Sequence, residues 1–180
     1  MKGMIFTELI DMIESLHGYS MVDNVFNEVQ LASKGAYTSV GSYAHEELVT
    51  LLMAFSKKTG SSLEELQFEY GKYMFGYFTR EYASFFEGET SALPFLAKIE
   101  SKIHPQVKKL YPTAELPTFV IENLGPNQLD MTYQSIRCMG DFAAGLIRGC
   151  LDYFKEEANV SKEQLSEDGS RIRFRISKAA

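Results

Sequence analysis

The sequence predicts an α+β fold, with helices in the first hundred residues followed by a small antiparallel sheet that has one long helix inserted. Apolar residues recur at spacings of three and four through the first hundred residues, which is the period of amphipathic helices. After Pro112, short runs of β-branched and aromatic residues are separated by turn residues, a pattern typical of strands. Helices followed by strands, rather than alternating with them, favour the α+β class.

The N-terminal part is predicted to contain four helices, at residues 3–16, 22–31, 43–58 and 62–79. Ser62 and Glu65 fit a capping box at the start of the fourth helix. This helix is rich in aromatic residues and contains Gly71 and Gly76, each costing about 1 kcal/mol relative to alanine. Glycines inside a helix allow another element to approach it closely, so we expect a neighbour packed against this helix.

The C-terminal part is predicted to begin with a further helix and then form the sheet. Pro94 suits the first turn of a helix that runs to His104. Pro105 disfavours helical geometry at the preceding residue, so His104 is expected at or near the helix end, or at a kink. Strands are predicted at 119–124, 128–137 and 171–177, with the inserted helix at 139–157. The apolar stripe expected on this helix consists of Phe142, Leu146, Cys150 and Tyr153.

Composition and charge exclude several classes of function. The 180 residues suit a single domain over 1–180, and the net charge of −6 argues against a binder of nucleic acid or anionic membranes. Two cysteines are too few for a disulfide framework or a structural zinc site. No apolar stretch approaches the roughly 20 residues of a membrane span, and Glu8 and Asp11 interrupt the N-terminal apolar run. We therefore expect a cytoplasmic protein.

His104 is the histidine with the most informative surroundings. It follows an apolar stripe and precedes a proline that fixes the exit of the chain. His17 suits a helix end, and His45 lacks the second histidine that a zinc-protease helix requires. Residue type alone leaves both a structural histidine and a metal ligand open for His104.

Tyr133, Ser135 and Arg137 form the second candidate site. On a strand they would point to one face and span roughly 13 Å. Two hydroxyls and a guanidinium in line would suit an anionic ligand with two separated carboxylates, because arginine binds a carboxylate bidentately. The outward polar face of a half-buried strand explains the same pattern.

Taken together, His104-Pro105, Pro117 and Tyr133-x-Ser135-x-Arg137, with Met1-Lys-Gly at the start, closely resemble the heme-nitric oxide/oxygen binding (H-NOX) family. This family comprises heme domains related to the sensor domain of soluble guanylate cyclase. The resemblance covers essentially the whole chain. It implies heme b buried between a distal helical part, at about 1–60, and a proximal part with the sheet, at about 61–180.

The resemblance also implies roles for individual residues. His104 matches the sole protein ligand to the heme iron, and Tyr133, Ser135 and Arg137 match the residues that bind the heme propionates. Pro117 matches the proline that presses on the porphyrin and distorts it. The residues that match the distal pocket and porphyrin face are Ile5, Leu9, Met74, Phe78, Phe142 and Leu146.

The residue at position 142 is expected to decide which gas binds. Oxygen-binding members carry a tyrosine at the position of Phe142. Oxygen needs a hydrogen-bond donor beside it in an apolar pocket, whereas nitric oxide and carbon monoxide need one much less. The resemblance therefore implies a nitric oxide sensor, without catalytic activity of its own, that regulates a separate cytosolic histidine kinase or diguanylate cyclase. A carrier or scavenger of a diatomic gas is the alternative, followed by a non-heme module that buries an apolar acid.

Overall fold

The computed structural model describes residues 1–178, and the chain divides into two compact units, Met1–Tyr70 and the part from Gly71 onward. The helices are α1 (Met4–His17), α2 (Tyr19–Glu28), α3 (His45–Thr59), α4 (Leu63–Glu81), α5 (Ala92–Ala97), α6 (His104–Leu110) and α7 (Gly140–Tyr153). The strands are β1 (Thr118–Gly125), β2 (Gln128–Gln134), β3 (Ala158–Gln164) and β4 (Arg171–Lys178). No helix within residues 1–178 has the length and apolarity needed to cross a bilayer.

The first unit is built on the apolar face of α1. Its large side chains recur every three or four residues, and Phe6, Leu9 and Ile13 are fully buried. Phe6 stacks on Tyr37, with 4.6 Å between the ring centroids. Gly18 ends α1 with φ of +82°, a conformation that glycine adopts without steric cost.

A buried carboxylate organises the loop between α2 and α3. Glu47 Oε2 accepts hydrogen bonds from Ser33 Oγ at 2.5 Å and from the Tyr37 hydroxyl at 2.8 Å. Burial alone would raise the pKa of the Glu47 carboxyl, but these hydrogen bonds outweigh it and hold the pKa below its ordinary value. The loop is therefore tied to α3 through a charged acceptor.

The second unit contains a four-stranded antiparallel sheet in the order β1-β2-β4-β3. Phe119 of β1 lies opposite Tyr133 of β2, and Tyr133 lies opposite Ile172 of β4. The prediction of three strands missed β3, and the predicted inserted helix runs too far, because α7 ends at Tyr153. Most β3 side chains are exposed, so this edge strand has little of the apolar alternation that identifies strands.

The core-facing side of α7 differs from the predicted stripe. We expected Phe142, Leu146, Cys150 and Tyr153 to share one apolar face, but Tyr153 is 48% exposed. The residues of α7 that are buried in the core against the sheet and α5 are Ala143, Ile147, Cys150 and Leu151. Phe142 and Leu146 are only half-buried, because they lie beside the core-facing side and not at its centre.

Candidate cofactor site

His104 is the first residue of α6 and directly follows a π-helical turn, Ile99–Ile103. Its dihedrals are helical (φ −58°, ψ −41°) and α6 continues to Leu110. Of the two alternatives expected for His104, the helix end is therefore wrong, and an irregular helical turn lies next to it instead. Pro105 is tolerated because the first turn of a helix does not need its missing N–H. The irregularity is the π-helical turn just before His104, and such turns are frequent at functional sites.

The His104 ring lies between a carboxylate and an aromatic ring. Its Nδ1 is 3.1 Å from Glu100 Oε2, and the centroid of the Phe119 ring is 5.9 Å from its own. Burial lowers the pKa of His104 below its ordinary value, and the Glu100 carboxylate opposes part of that effect. Because Glu100 engages Nδ1, Nε2 is the nitrogen of a neutral imidazole that can bind a metal.

Glu89 anchors the segment that carries His104. Its carboxylate, only 5% exposed, accepts two hydrogen bonds from Lys98 Nζ, at 2.8 and 3.0 Å, and one from Lys102 Nζ at 3.1 Å. Hydrogen bonds from these lysines hold the pKa of the Glu89 carboxyl below its ordinary value. Lys98 precedes the π-helical turn and Lys102 lies within it, so both parts of the turn are fixed to one buried anion.

Tyr133, Ser135 and Arg137 do not form a straight row on one strand. β2 ends at Gln134, and the chain then turns, with the Cys138 N–H donating to the Ser135 carbonyl at 3.3 Å. Ile136 and Arg137 lie in this turn, so Arg137 is not on the extended strand that a row of side chains needs.

The turn nevertheless keeps the three residues together as one polar cluster. The Arg137 N–H donates to Ser135 Oγ at 3.2 Å, and Ser135 also hydrogen-bonds the Tyr133 hydroxyl. The Tyr133 side chain is buried, and its hydroxyl accepts the N–H of Met139 at the start of α7 at 3.1 Å. Phe119 contacts both halves of the site, since its ring also lies 5.8 Å from that of Tyr133.

Arg137 is paired with a residue of the segment before β1. Its guanidinium, 13% exposed, donates to the Glu115 carbonyl and to Glu115 Oε2, each at 2.6 Å. The Glu115 side chain is 83% exposed, so this pair is screened by water and is weak. Pro117 is half-buried in the same segment, directly before β1.

The remaining predicted residues lie on three helices. Met74 and Phe78 lie on α4, and Phe142 and Leu146 lie on α7. Gly71 lets these two helices approach closely, since a Cβ added there would lie 2.2 Å from the Phe142 carbonyl oxygen. Ile5 and Leu9 lie on α1 in the first unit, where the Ile5 carbonyl accepts the Tyr70 hydroxyl.

Three residues of this site were missed by the sequence reasoning. Glu100 lies four residues before His104 on a predicted helix, a spacing that places side chains next to each other, so it could have been found. Phe119 was predicted only as a strand residue. Glu115 and Arg137 are 22 residues apart, and no local pattern joins them.

The donor set of the second unit fits a heme. A protein can hold a heme with an imidazole on its iron and with cationic or hydroxyl donors on its two propionates. His104 offers Nε2, and the cluster of Tyr133, Ser135 and Arg137 offers two hydroxyls and a guanidinium. Arg137 has five N–H donors and Glu115 accepts only two of them, so its capacity for an anion is not exhausted.

Comparison with known proteins gives one consistent result. The family model described as Haem-NO-binding matches residues 2–162. The H-NOX protein of K. algicida, solved in the unliganded Fe(II) state, is 38% identical with a TM-score of 0.95, covering 100% of this chain and 97% of that one. The H-NOX of Shewanella woodyi, solved in the Fe(II)CO state with IWP-051 bound, is also 38% identical, with a TM-score of 0.84 and coverage of 99% and 95%.

A more distant structure shares the fold. The S. oneidensis H-NOX protein, solved in the Fe(II)NO state, is 23% identical with a TM-score of 0.91, and each chain covers 100% of the other. A comparison with curated protein sequences found no match to this chain. H-NOX domains bind heme and are not enzymes. The chain therefore belongs to the H-NOX (haem-NO-binding) family, and heme is its cofactor.

Proposed function

We propose that this protein senses nitric oxide at a ferrous heme, also binds carbon monoxide, does not retain oxygen, and regulates a separate signalling protein in the cytoplasm. His104 would hold the iron through Nε2, and Tyr133, Ser135 and Arg137 would hold the propionates. Heme, when bound there, would supply the iron that binds a diatomic gas. Pro117 would lie against the porphyrin.

The observation that carries the gas preference is the chemistry of the apolar side chains. Phe142 and Leu146 are half-buried on α7, beside the core-facing positions of that helix. Neither side chain has a hydrogen-bond donor, and the same holds for the other residues proposed for the pocket: Ile5, Leu9, Met74 and Phe78. A pocket of this composition gives oxygen no hydrogen bond, while nitric oxide and carbon monoxide bind without one.

The buried position of His104 supports the proposed iron site. The imidazole is 13% exposed and its Nδ1 is held by Glu100. An imidazole in this setting is neutral and fixed in rotation, as iron requires of a single histidine ligand. The resemblance to the family makes a histidine kinase or a diguanylate cyclase the expected partner.

Gas exposure of the purified, reduced protein tests the preference. Samples prepared under nitrogen are exposed in parallel to nitric oxide, carbon monoxide and air, and their absorption spectra are followed. We expect shifted spectra with the first two gases and no stable oxygen complex in air. Phe142→Leu, which also lacks a donor, is the matched control and should behave as the wild type. A stable oxygen complex of the wild type would instead support a gas carrier or scavenger.

Regulation is tested with a histidine kinase or diguanylate cyclase from the same genome. Its activity is measured with the reduced protein in the presence and absence of nitric oxide. We expect the gas to change that activity only when the H-NOX protein is present. Equal activity under all conditions would contradict a signalling role for this pair.

A further inference from the structure

Glu100 connects His104 to the sheet through a single oxygen atom. Glu100 Oε2 lies 3.1 Å from His104 Nδ1 and accepts the backbone N–H of Phe119 at 3.0 Å. Phe119 is the second residue of β1, and its ring also lies beside the imidazole. The carboxylate therefore bridges the helical segment and the first strand at the point where the proposed iron ligand lies.

The local backbone determines where this carboxylate lies. Within the π-helical turn, the Ile103 N–H reaches the Lys98 carbonyl five residues back, at 3.2 Å. Glu89 holds Lys98 and Lys102 from the other side. Glu100 is thus part of a turn that is fixed independently of His104. Its side chain is 40% exposed, and its carboxylate is held by the contacts to His104 Nδ1 and the Phe119 N–H.

The hydrogen bonds also determine the tautomer of His104. An ionised carboxylate has acceptors only, and Glu100 Oε2 already accepts one N–H from the backbone. His104 Nδ1 must therefore donate a proton to it, which leaves the lone pair on Nε2. A carboxylate on the distant nitrogen of a metal-binding histidine fixes the ring and increases the electron donation of the other nitrogen.

We infer that Glu100 is a positioning residue that orients His104 and strengthens its bond to iron. This inference rests on the proposed role of His104 as the heme ligand. The negative charge beside the imidazole makes Nε2 a stronger donor, which favours ferric over ferrous iron and lowers the reduction potential. Glu100 itself touches neither heme nor gas in this account, and it acts only through His104.

Two substitutions separate the charge of Glu100 from its shape. Glu100→Gln keeps the size and one acceptor oxygen but removes the charge. Glu100→Leu removes both the charge and the acceptor oxygens. Glu122→Gln is the matched control, because it removes an exposed carboxylate from β1, the strand that Glu100 contacts. The measurements are the iron–histidine stretching frequency by resonance Raman spectroscopy, the heme reduction potential, and the rate of heme loss to apomyoglobin.

The stretching frequency should fall and the potential should rise in Glu100→Gln, with larger shifts in Glu100→Leu. Heme loss should accelerate by about 10–100-fold in Glu100→Leu, as for other partners of metal-binding histidines. Glu122→Gln should match the wild type in all three measurements. These spectroscopic and redox shifts distinguish a positioning role from a general loss of packing, which circular dichroism would reveal.

An unchanged frequency and potential in Glu100→Gln, with wild-type circular dichroism, would overturn the inference. The measurements on Glu100→Gln still decide the question if Glu100→Leu fails to fold. Failure of the proposed function is recognised separately with His104→Gly. If His104→Gly loses heme while Glu100→Gln is unchanged, His104 is the ligand and only the role of Glu100 is wrong. If His104→Gly keeps its heme without added imidazole, the iron site itself is misassigned and the role of Glu100 falls with it.

Discussion

Gly71 of α4 lies so close to the backbone of Phe142 on α7 that an added Cβ atom would be 2.2 Å from the Phe142 carbonyl oxygen. The same atom would be 2.8 Å from the amide nitrogen of Leu146. Both obstacles are backbone atoms of a helix, so neither can move without moving α7. The small size of residue 71 thus determines how closely two helices with proposed pocket residues can approach.

Gly71→Ala should therefore destabilise the protein, by about 1–3 kcal/mol as for other overpacked sites. Gly76→Ala is the matched control in the same helix, since the nearest atom to its added Cβ is Arg80 Nη1 at an ordinary 3.5 Å. That substitution should stabilise by about 0.5–1 kcal/mol, because alanine favours the helix. Urea unfolding measures both values. If both substitutions lower the free energy of unfolding, or both raise it, the close approach of the two helices at Gly71 is contradicted.

Phe142→Tyr adds a hydroxyl donor to the proposed pocket and should prolong the oxygen complex of the reduced protein. The gain depends on the hydroxyl pointing toward the gas, because a buried hydroxyl without a partner costs about 1–3 kcal/mol. Stopped-flow absorption measures the lifetime of the complex after mixing with air-saturated buffer. Phe142→Leu should retain the wild-type lifetime. Equal lifetimes in the tyrosine variant and the wild type would argue against the pocket as proposed.

Arg137→Ala should weaken heme binding by about 1.5–3 kcal/mol, the value of hydrogen bonds to charged groups. This corresponds to roughly a 10- to 150-fold loss of affinity, while Tyr133 and Ser135 still offer their hydroxyls. Competition with apomyoglobin measures the affinity. Arg173→Ala, which removes an arginine paired with Glu163 on the edge strand, serves as the control and should retain the wild-type value. Equal losses of heme affinity in both variants would show that the loss comes from removing a positive charge and not from a specific contact of Arg137 with the heme.

Glu89 should make stability depend on pH. Hydrogen bonds from Lys98 and Lys102 hold the pKa of Glu89 in the folded protein below the ordinary value. The ionised Glu89 therefore stabilises the fold fully above the unfolded pKa of about 4.3. This stabilisation is lost as the pH falls through the lower pKa of the folded protein. Glu89→Gln should cost about 1.5–3 kcal/mol near neutral pH. Urea unfolding at a series of pH values should show this difference shrinking in acid. A difference that stays constant down to pH 3 would rule out the charged contacts as its origin.

The parts of the fold that could be predicted are those with strong periodic patterns. The helix predicted at residues 3–16, the capping box before α4 and the alternation in β4 lie where the sequence places them. β3 was missed because an exposed edge strand does not need apolar alternation. The helix end that was one alternative for His104 is absent, because the chain passes through a π-helical turn and continues as α6; the local rule for residues before proline does not describe this turn.

Candidate residues could be selected from the sequence only through the family motif. Residue type alone favours a structural histidine over a metal ligand at position 104. The row of side chains expected from a strand is instead a turn, in which Ser135 accepts the N–H of Arg137. Long-range contacts such as Glu115 with Arg137 depend on how the segment before β1 packs, which no local pattern encodes.

His104 is proposed as the bond between the protein and the heme iron, and the absorption spectrum of His104→Gly decides whether it is. The spectrum of the reduced variant is recorded without and with free imidazole and compared with that of the wild type. We expect the variant to lack heme, and imidazole, which replaces the missing ring, to restore both the heme and a wild-type-like spectrum. An unchanged ferrous spectrum without imidazole would contradict this role of His104.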